Sequence, residues 1–294
     1  MKKFLLAYNP VSGDAMFKKK LDDIINQFQS RDCIVIPYRT KKESYDPFFG
    51  ACIHELNADG VIAAGGDGTL HKIINMMLKE NLDIPVGIIP SGTSNDFASY
   101  LVIEDNFEQY IENICIGKAQ YVDVGCIGDE YFINVASAGM MTSVAHEVDT
   151  RLKNTFGKLA YYVRGIGELP RFRPLDFTIE ADGEIFEEKI FFFIVINSPV
   201  VASFKNIADA KIDDGKLDMI LLRHCSLPEL MKIATDIIAG KNVLGNKNII
   251  HKQATCFKFT CPADKVESDL DGELGPCLPL TIQTVSNKLK MFRL

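Results

Sequence analysis

The sequence predicts two domains of different class: an α/β domain with a parallel sheet, then an all-β domain built as an antiparallel sandwich. Three observations predict this. Up to about Lys118, short apolar runs alternate with helix-period segments. Beyond it, strand-like runs follow one another with few helices between them. With 294 residues, 47% of them hydrophobic, the chain is long enough and apolar enough for two cores. The expected division is 1–120 and 121–285, with 286–294 returning to the first domain.

The first domain opens with the run Phe4 to Tyr8, a short buried strand. In Met16 to Phe28, Phe17, Leu21, Ile24, Ile25 and Phe28 recur at helix spacing. Cys33 to Pro37 reads as a second strand and Phe48 to Leu56 as a helix. Val61 to Ala64 is a third strand. Leu70 to Leu78 is a helix with Leu70, Ile73, Ile74, Met77 and Leu78 on one face. Pro85 to Ile89 is a fourth strand. In the second domain the expected strands are Tyr121 to Val124, Tyr131 to Ala136, Asp176 to Ala181, Ile190 to Asn197, Lys216 to Leu222, Cys256 to Cys261 and Leu280 to Thr284. Helical stretches near 142–169 and 227–240 interrupt them.

Charge and composition exclude several classes. A formal charge of −7 argues against a general nucleic-acid binder. No segment approaches the roughly 20 apolar residues that span a bilayer. Asn9-Pro10 breaks the first apolar run, so it reads as a strand rather than a signal peptide, and a cytoplasmic protein is expected. The eight cysteines form no C-x-x-C pair and read as reduced thiols. No G-x-S-x-G elbow is present, and His54, His146, His224 and His251 have no ligand-spaced partners.

Gly65-Gly66-Asp67-Gly68-Thr69 stands where the third strand hands over to a helix. Glycines there let the backbone approach a ligand, and the helix N-terminus favours an anion. A phosphate seat follows. The Asp67 carboxylate fits beside phosphate when a divalent cation lies between them. This is neither a Walker loop nor G-x-G-x-x-G. Two further small-residue loops, Asn9-Pro10-Val11-Ser12-Gly13 and Pro90-Ser91-Gly92-Thr93-Ser94-Asn95-Asp96, follow strands one and four. Loops at the carboxyl ends of parallel strands share one edge, where ligands bind.

These three loops, in this order and spacing, resemble the diacylglycerol kinase catalytic family, which includes soluble bacterial diacylglycerol kinases, YegS-like lipid kinases and sphingosine kinases. Lys211-Ile212-Asp213-Asp214-Gly215 and Asp271-Gly272-Glu273 extend the resemblance over nearly the whole chain. It implies a first domain like that of NAD kinases and phosphofructokinases, and a β-sandwich second domain. It implies an ATP- and Mg²⁺-dependent lipid kinase, with diacylglycerol converted to phosphatidic acid as the leading reaction. Asn9, Pro10, Val11, Ser12, Gly13, Thr40, Gly65, Gly66, Asp67, Gly68, Thr69, Gly92, Thr93, Asn95 and Asp96 are the implied nucleotide contacts. Asp67 is implied at the catalytic Mg²⁺. Glu273 is implied as the base that takes the lipid hydroxyl proton, with Asp271 beside it as a catalytic carboxylate. A second, structural Mg²⁺ is implied at the Asp214 carboxylate and the carbonyls of Lys211 and Lys216. By itself, Asp271-Gly272-Glu273 reads as a hairpin turn.

Two departures from the family pattern stand out. His71-Lys72 occupies the place of Asn-Glu after the glycine loop, and Ser99 the place of an Arg. They motivate an alternative, a nucleotide-binding sensor with impaired catalysis. Another alternative keeps the reaction with a different acceptor, another lipid or NAD, although no Gly-Ser-Thr-Ala-Tyr segment of the NAD kinase kind occurs. The stretch Arg151 to Arg173 carries six Arg/Lys and one Glu. It reads first as an amphipathic helix with a solvated basic side. Its other reading is a face for the inner side of an anionic membrane, where a diacylglycerol-like lipid would be met. A homodimer is compatible with the sequence.

Overall fold

Strand–helix alternation in the first third builds a parallel sheet, and the strand-rich remainder builds antiparallel ladders. The computed structural model describes residues 1–10, 16–41, 46–101, 103, 106–139, 174–204, 207–263 and 265–293. The chain divides into two units, Met1–Asp123 with Ser286–Leu294, and Val124–Val285.

The first unit contains β1 (Lys2–Tyr8), α1 (Met16–Gln29), β2 (Cys33–Arg39), α2 (Pro47–Leu56), β3 (Gly60–Gly65), α3 (Asp67–Lys79) and β4 (Val86–Pro90). Two short helices, α4 (Asp96–Tyr100) and α5 (Phe107–Ile116), lead to β5 (Ala119–Ile127). The strand order β2-β1-β3-β4 is parallel throughout. Leu6 lies opposite Pro37 on one side and Ile62 on the other, and Ile62 in turn opposite Gly87. Every residue of β3 is buried, as a strand covered on both faces requires. The start of α2 is set by Asp46, which accepts from the Phe48 amide, and by Pro47 in the first turn. Its end is set by Asn57 in the left-handed conformation.

The second unit runs through β6 (Glu130–Phe132), β7 (Val135–Gly139), β8 (Leu175–Ala181), β9 (Glu184–Ile196), β10 (Leu217–Arg223), α6 (Leu227–Ile238), β11 (Ile249–Ala254), β12 (Cys256–Thr260), β13 (Glu267–Leu270), β14 (Glu273–Cys277) and β15 (Leu280–Phe292). Its pairings are antiparallel: β14-β13-β7-β9-β8-β12-β15, with β10 joining β9 to β11. The apolar run in β9 has a simple cause. Ile190, Phe193 and Val195 enter one core with Phe177, Phe257 and Phe259. Phe191 and Ile196 enter a second core with Ile220, Leu222 and Ile233 of α6. Both faces are buried, so alternation with polar residues disappears.

Several elements differ from expectation. α3 begins at Asp67 rather than Leu70, which puts the carboxylate in its first turn. The stretch expected as one strand, Tyr131 to Ala136, is broken at Ile133-Asn134 into β6 and β7. β9 is longer than expected, and β15 continues to Phe292, where Met291 pairs in parallel with Val86. The strands β11, β13 and β14 and the helices α4 and α5 add to those expected. The helix expected near 142–169, and with it the basic stretch Arg151 to Arg173, lies outside the described residues.

Candidate active site

In the first unit, the carboxyl ends of the parallel strands β1, β3 and β4 share one sheet edge. The Asn9 amide donates to the Ala64 carbonyl at 3.1 Å, and the Ser91 amide donates to the Gly65 carbonyl at 3.0 Å. The loops after β3 and β4 then touch through their backbones. A Cβ placed on Gly92 would lie 2.4 Å from the Gly66 Cα, so only glycine allows this approach. The loop after β4 is closed by Asn95, which has φ +49°. Its Oδ1 accepts from the Gly92 amide at 2.9 Å and its Nδ2 donates to the Gly92 carbonyl at 3.0 Å. Asn95 therefore spends its side chain on shaping the loop.

α3 starts from this junction. Gly66 is its N-cap and supplies no capping side chain, so the N-cap residue leaves the positive end of the helix dipole without a side-chain acceptor of its own. Residues 66–68 are partly exposed while Thr69 and Leu70 are buried. An anion is a fitting cap for such an end. Asp67 lies in this first turn, with its Oδ1 3.5 Å from the Phe97 amide nitrogen at the start of α4. Asp96 precedes it and is buried, and Thr93 is exposed. The donor set suits a phosphate with a hard cation between it and Asp67.

Thr40 is tied to β1: its amide and its Oγ1 both reach the Tyr8 carbonyl, at 3.0 and 3.2 Å. Lys41 follows, and its carbonyl accepts from Lys72 Nζ. A glutamate at position 72 could not make this bond, so the departure at Lys72 has a structural use. His71 packs its ring nitrogen 3.3 Å from Asn75 Nδ2. Lys41 Nζ in turn lies 3.0 Å from Asp46, which also accepts from the Tyr38 hydroxyl at 2.6 Å. Burial pushes the Asp46 carboxyl up, but the bonds from Tyr38, Lys41 and the Phe48 amide outweigh it and hold the group below the usual aspartate value. Pro10, two residues after the end of β1, is partly exposed. Val11, Ser12 and Gly13 lie outside the described residues.

In the second unit, Asp271 and Gly272 are the two central residues of the β13–β14 hairpin, with Leu270 opposite Glu273. Their φ values are +53° and +94°, as a two-residue type I′ turn demands. The Asp271 carboxylate is buried and accepts three consecutive amides. Ile133 donates to Oδ2 at 2.9 Å, and Asn134 and Val135 donate to Oδ1 at 2.9 Å each. This cluster is what breaks the strand expected over Tyr131 to Ala136. Glu273 is exposed next to it. Asp271 thus anchors the turn, and the Glu273 carboxylate is the one of the pair that stays accessible.

The Lys211–Lys216 turn is pinned by the buried Ile212. Asp214 Oδ1 accepts from the Lys216 amide at 3.0 Å, and Gly215 has φ +76°. The carboxylate stays exposed and could accept a cation, yet no cluster of three or more metal-ligating side chains exists among the described residues. Other buried polar residues were not singled out from sequence: Asp123 on β5, and Asn134, Asn197 and Ser198. A polar residue inside an apolar strand run, as in Tyr121 to Gly125 or Phe132 to Ala136, was the available signal.

Comparison with known proteins agrees with this layout. Residues 3–127 match the diacylglycerol kinase catalytic domain, and residues 134–293 match the YegS C-terminal NAD kinase beta sandwich-like domain. The diacylglycerol kinase of Bacillus subtilis (strain 168) is 33% identical over 283 residues, 95% of this chain and 92% of that protein. The diacylglycerol kinase of Staphylococcus aureus (strain NCTC 8325 / PS 47) is 33% identical over 294 residues, 99% of this chain and 92% of that protein. A crystal structure of a diacylglycerol kinase from Bacillus anthracis str. Sterne aligns with a TM-score of 0.77 at 24% identity, covering 100% of this chain and 97% of that one. That last likeness bears on the fold. Among the described residues, no helix is long and apolar enough to cross a membrane.

Proposed function

The chain belongs to the diacylglycerol kinase family, and on that premise we propose that it transfers the γ-phosphoryl group of ATP to the free hydroxyl of diacylglycerol, giving phosphatidic acid. The observation that carries the reading is the backbone contact of Gly66 with Gly92 at the start of α3, where the N-cap glycine brings no side chain. It makes one anion seat from two loops and leaves Asp67 beside it. In this reading the α3 amides and the loop after β4 hold the nucleotide phosphates, with Thr40 near the nucleotide. Mg²⁺ held by Asp67 would neutralise charge on the phosphates.

The transfer balances simply. The lipid hydroxyl oxygen forms a bond to the γ-phosphorus as the bond to the ADP oxygen breaks, and the hydroxyl proton passes to Glu273. Asp271 takes no proton in this scheme and keeps the turn in place. A second cation at Asp214, Lys211 and Lys216, a peripheral contact with the inner membrane face, and a homodimer all belong to the same proposal.

The test is label transfer from γ-labelled ATP in Mg²⁺ and mixed micelles of diacylglycerol. Asp67→Asn and Glu273→Gln should each lower the rate at least about a hundredfold. Undiminished rates in both variants would overturn the assigned roles. ATP binding without turnover on any lipid would favour the sensor reading.

A further inference from the structure

Glu273 follows a turn that is held from a distance. The bend at Ile133–Val135 offers its amides to Asp271, as described, and its carbonyls point to a second clamp. The Ile133 carbonyl accepts from Asn197 Nδ2 at 2.8 Å, and the Asn134 carbonyl accepts from the Asn197 amide at 2.9 Å. The Asn134 side chain completes the clamp. Its Nδ2 donates to the Val200 carbonyl at 3.0 Å, and its Oδ1 accepts from the Ser198 hydroxyl. Relative exposure is 4% for Asn134, 0% for Asn197 and Ser198, and 6% for Asp271. The bend is therefore gripped on both sides, by the hairpin turn and by the segment that follows β9.

Four buried polar side chains are an expensive way to fill a core unless their geometry is used. Here the geometry reaches the hairpin turn. The Asp271 amide returns the contact to the Val135 carbonyl at 2.8 Å, so the turn and the bend move together. Glu273 is two residues from the anchored carboxylate, across a turn with both central residues at positive φ. We infer that Asn134, Asn197 and Ser198 are positioning residues for Glu273, holding the hairpin turn through Asp271 so that the Glu273 carboxylate is pre-oriented for the acceptor hydroxyl. This rests on the kinase reading above.

Proton acceptance is sensitive to sub-ångström placement. Loss of one hydrogen bond in the clamp should loosen the turn while leaving the nucleotide seat as it is.

The test is a pair of substitutions, Ser198→Ala and Asn134→Ala, each made in the unmodified chain and in Glu273→Gln. In the unmodified background kcat should fall about three- to tenfold, with KM for ATP unchanged. In Glu273→Gln the same substitutions should lower the residual kcat less than about twofold, because there is no base left to misplace. Equal losses in both backgrounds would overturn the positioning role and leave a structural one. Amide exchange provides a readout independent of turnover: protection at Ile133–Val135 and at Asp271 should drop in both variants, and unchanged protection overturns the clamp. An inactive unmodified chain, or a Glu273→Gln variant as active as the parent, defeats the kinase reading instead, and the exchange data alone then decide whether the clamp holds the turn.

Discussion

Replacing Asp271 by alanine removes the acceptor for three amides, those of Ile133 and Asn134, which are buried, and of Val135, which is part-buried, each 2.9 Å from a carboxylate oxygen. A buried donor left unpaired costs about 1–3 kcal/mol, so the three set a ceiling of roughly 9 kcal/mol. The bend relaxes and water enters, so the expected loss is about 4 kcal/mol. Asparagine is a milder change. It tolerates the left-handed backbone that Asp271 adopts at φ +53°. Its one carbonyl oxygen can still take the Asn134 and Val135 amides, while its amino group opposes the Ile133 N–H. The expected loss is about 1–2 kcal/mol. The assay is urea unfolding followed by far-UV circular dichroism, because the chain has no tryptophan. Two units make a single two-state fit unsafe, so hydrogen exchange over the peptides of Val124–Val285 assigns the loss to its unit. An alanine variant within about 1 kcal/mol of the parent would refute the anchor. Equal losses for alanine and asparagine would show that negative charge, rather than acceptance at two oxygens, holds the bend.

Two further outcomes are expected. Gly92→Ala drives a Cβ to 2.4 Å from the Gly66 Cα, so the two loops must part. Calorimetry should then show ATP affinity lowered about tenfold with the far-UV spectrum kept, whereas unchanged affinity would separate these loops from the nucleotide. Asp46→Asn probes the depressed carboxyl at the α2 cap. A lowered folded-state value means that stability is fully present above the unfolded aspartate value, about 3.9, and is lost as pH falls through the folded one. The variant should be less stable than the parent by about 1–3 kcal/mol at neutral pH, the gap in urea midpoints should close as pH falls below the unfolded value, and a gap that does not vary with pH would refute the assignment.

Much of the fold is legible where a signal is local. The runs that became β1, β3 and β4 stand out because parallel strands buried on both faces must be apolar throughout. The glycine loop at Gly65 to Thr69 stands out because close backbone approach and an open helix start both demand small residues. Other features are illegible because their partners are far away in the chain. The break between β6 and β7 comes from a carboxylate 136 to 138 residues downstream. Lys72 reads as a departure from a pattern, and only the fold shows the Lys41 carbonyl that it meets. Asn134 and Ser198 look like ordinary polar residues at strand ends until burial gives them each other.

By itself, the sequence determined the change from parallel to antiparallel architecture, the parallel strand ends that share one sheet edge and the kinase family. Each depends on residue type and spacing along the chain, which hydrophobic periodicity and backbone sterics translate directly into structure. Tertiary structure alone decided which carboxylate of Asp271-Gly272-Glu273 is consumed as an anchor and which stays accessible. That division depends on three amides brought to Asp271 by folding, and a buried carboxylate can serve them only where the chain has delivered them.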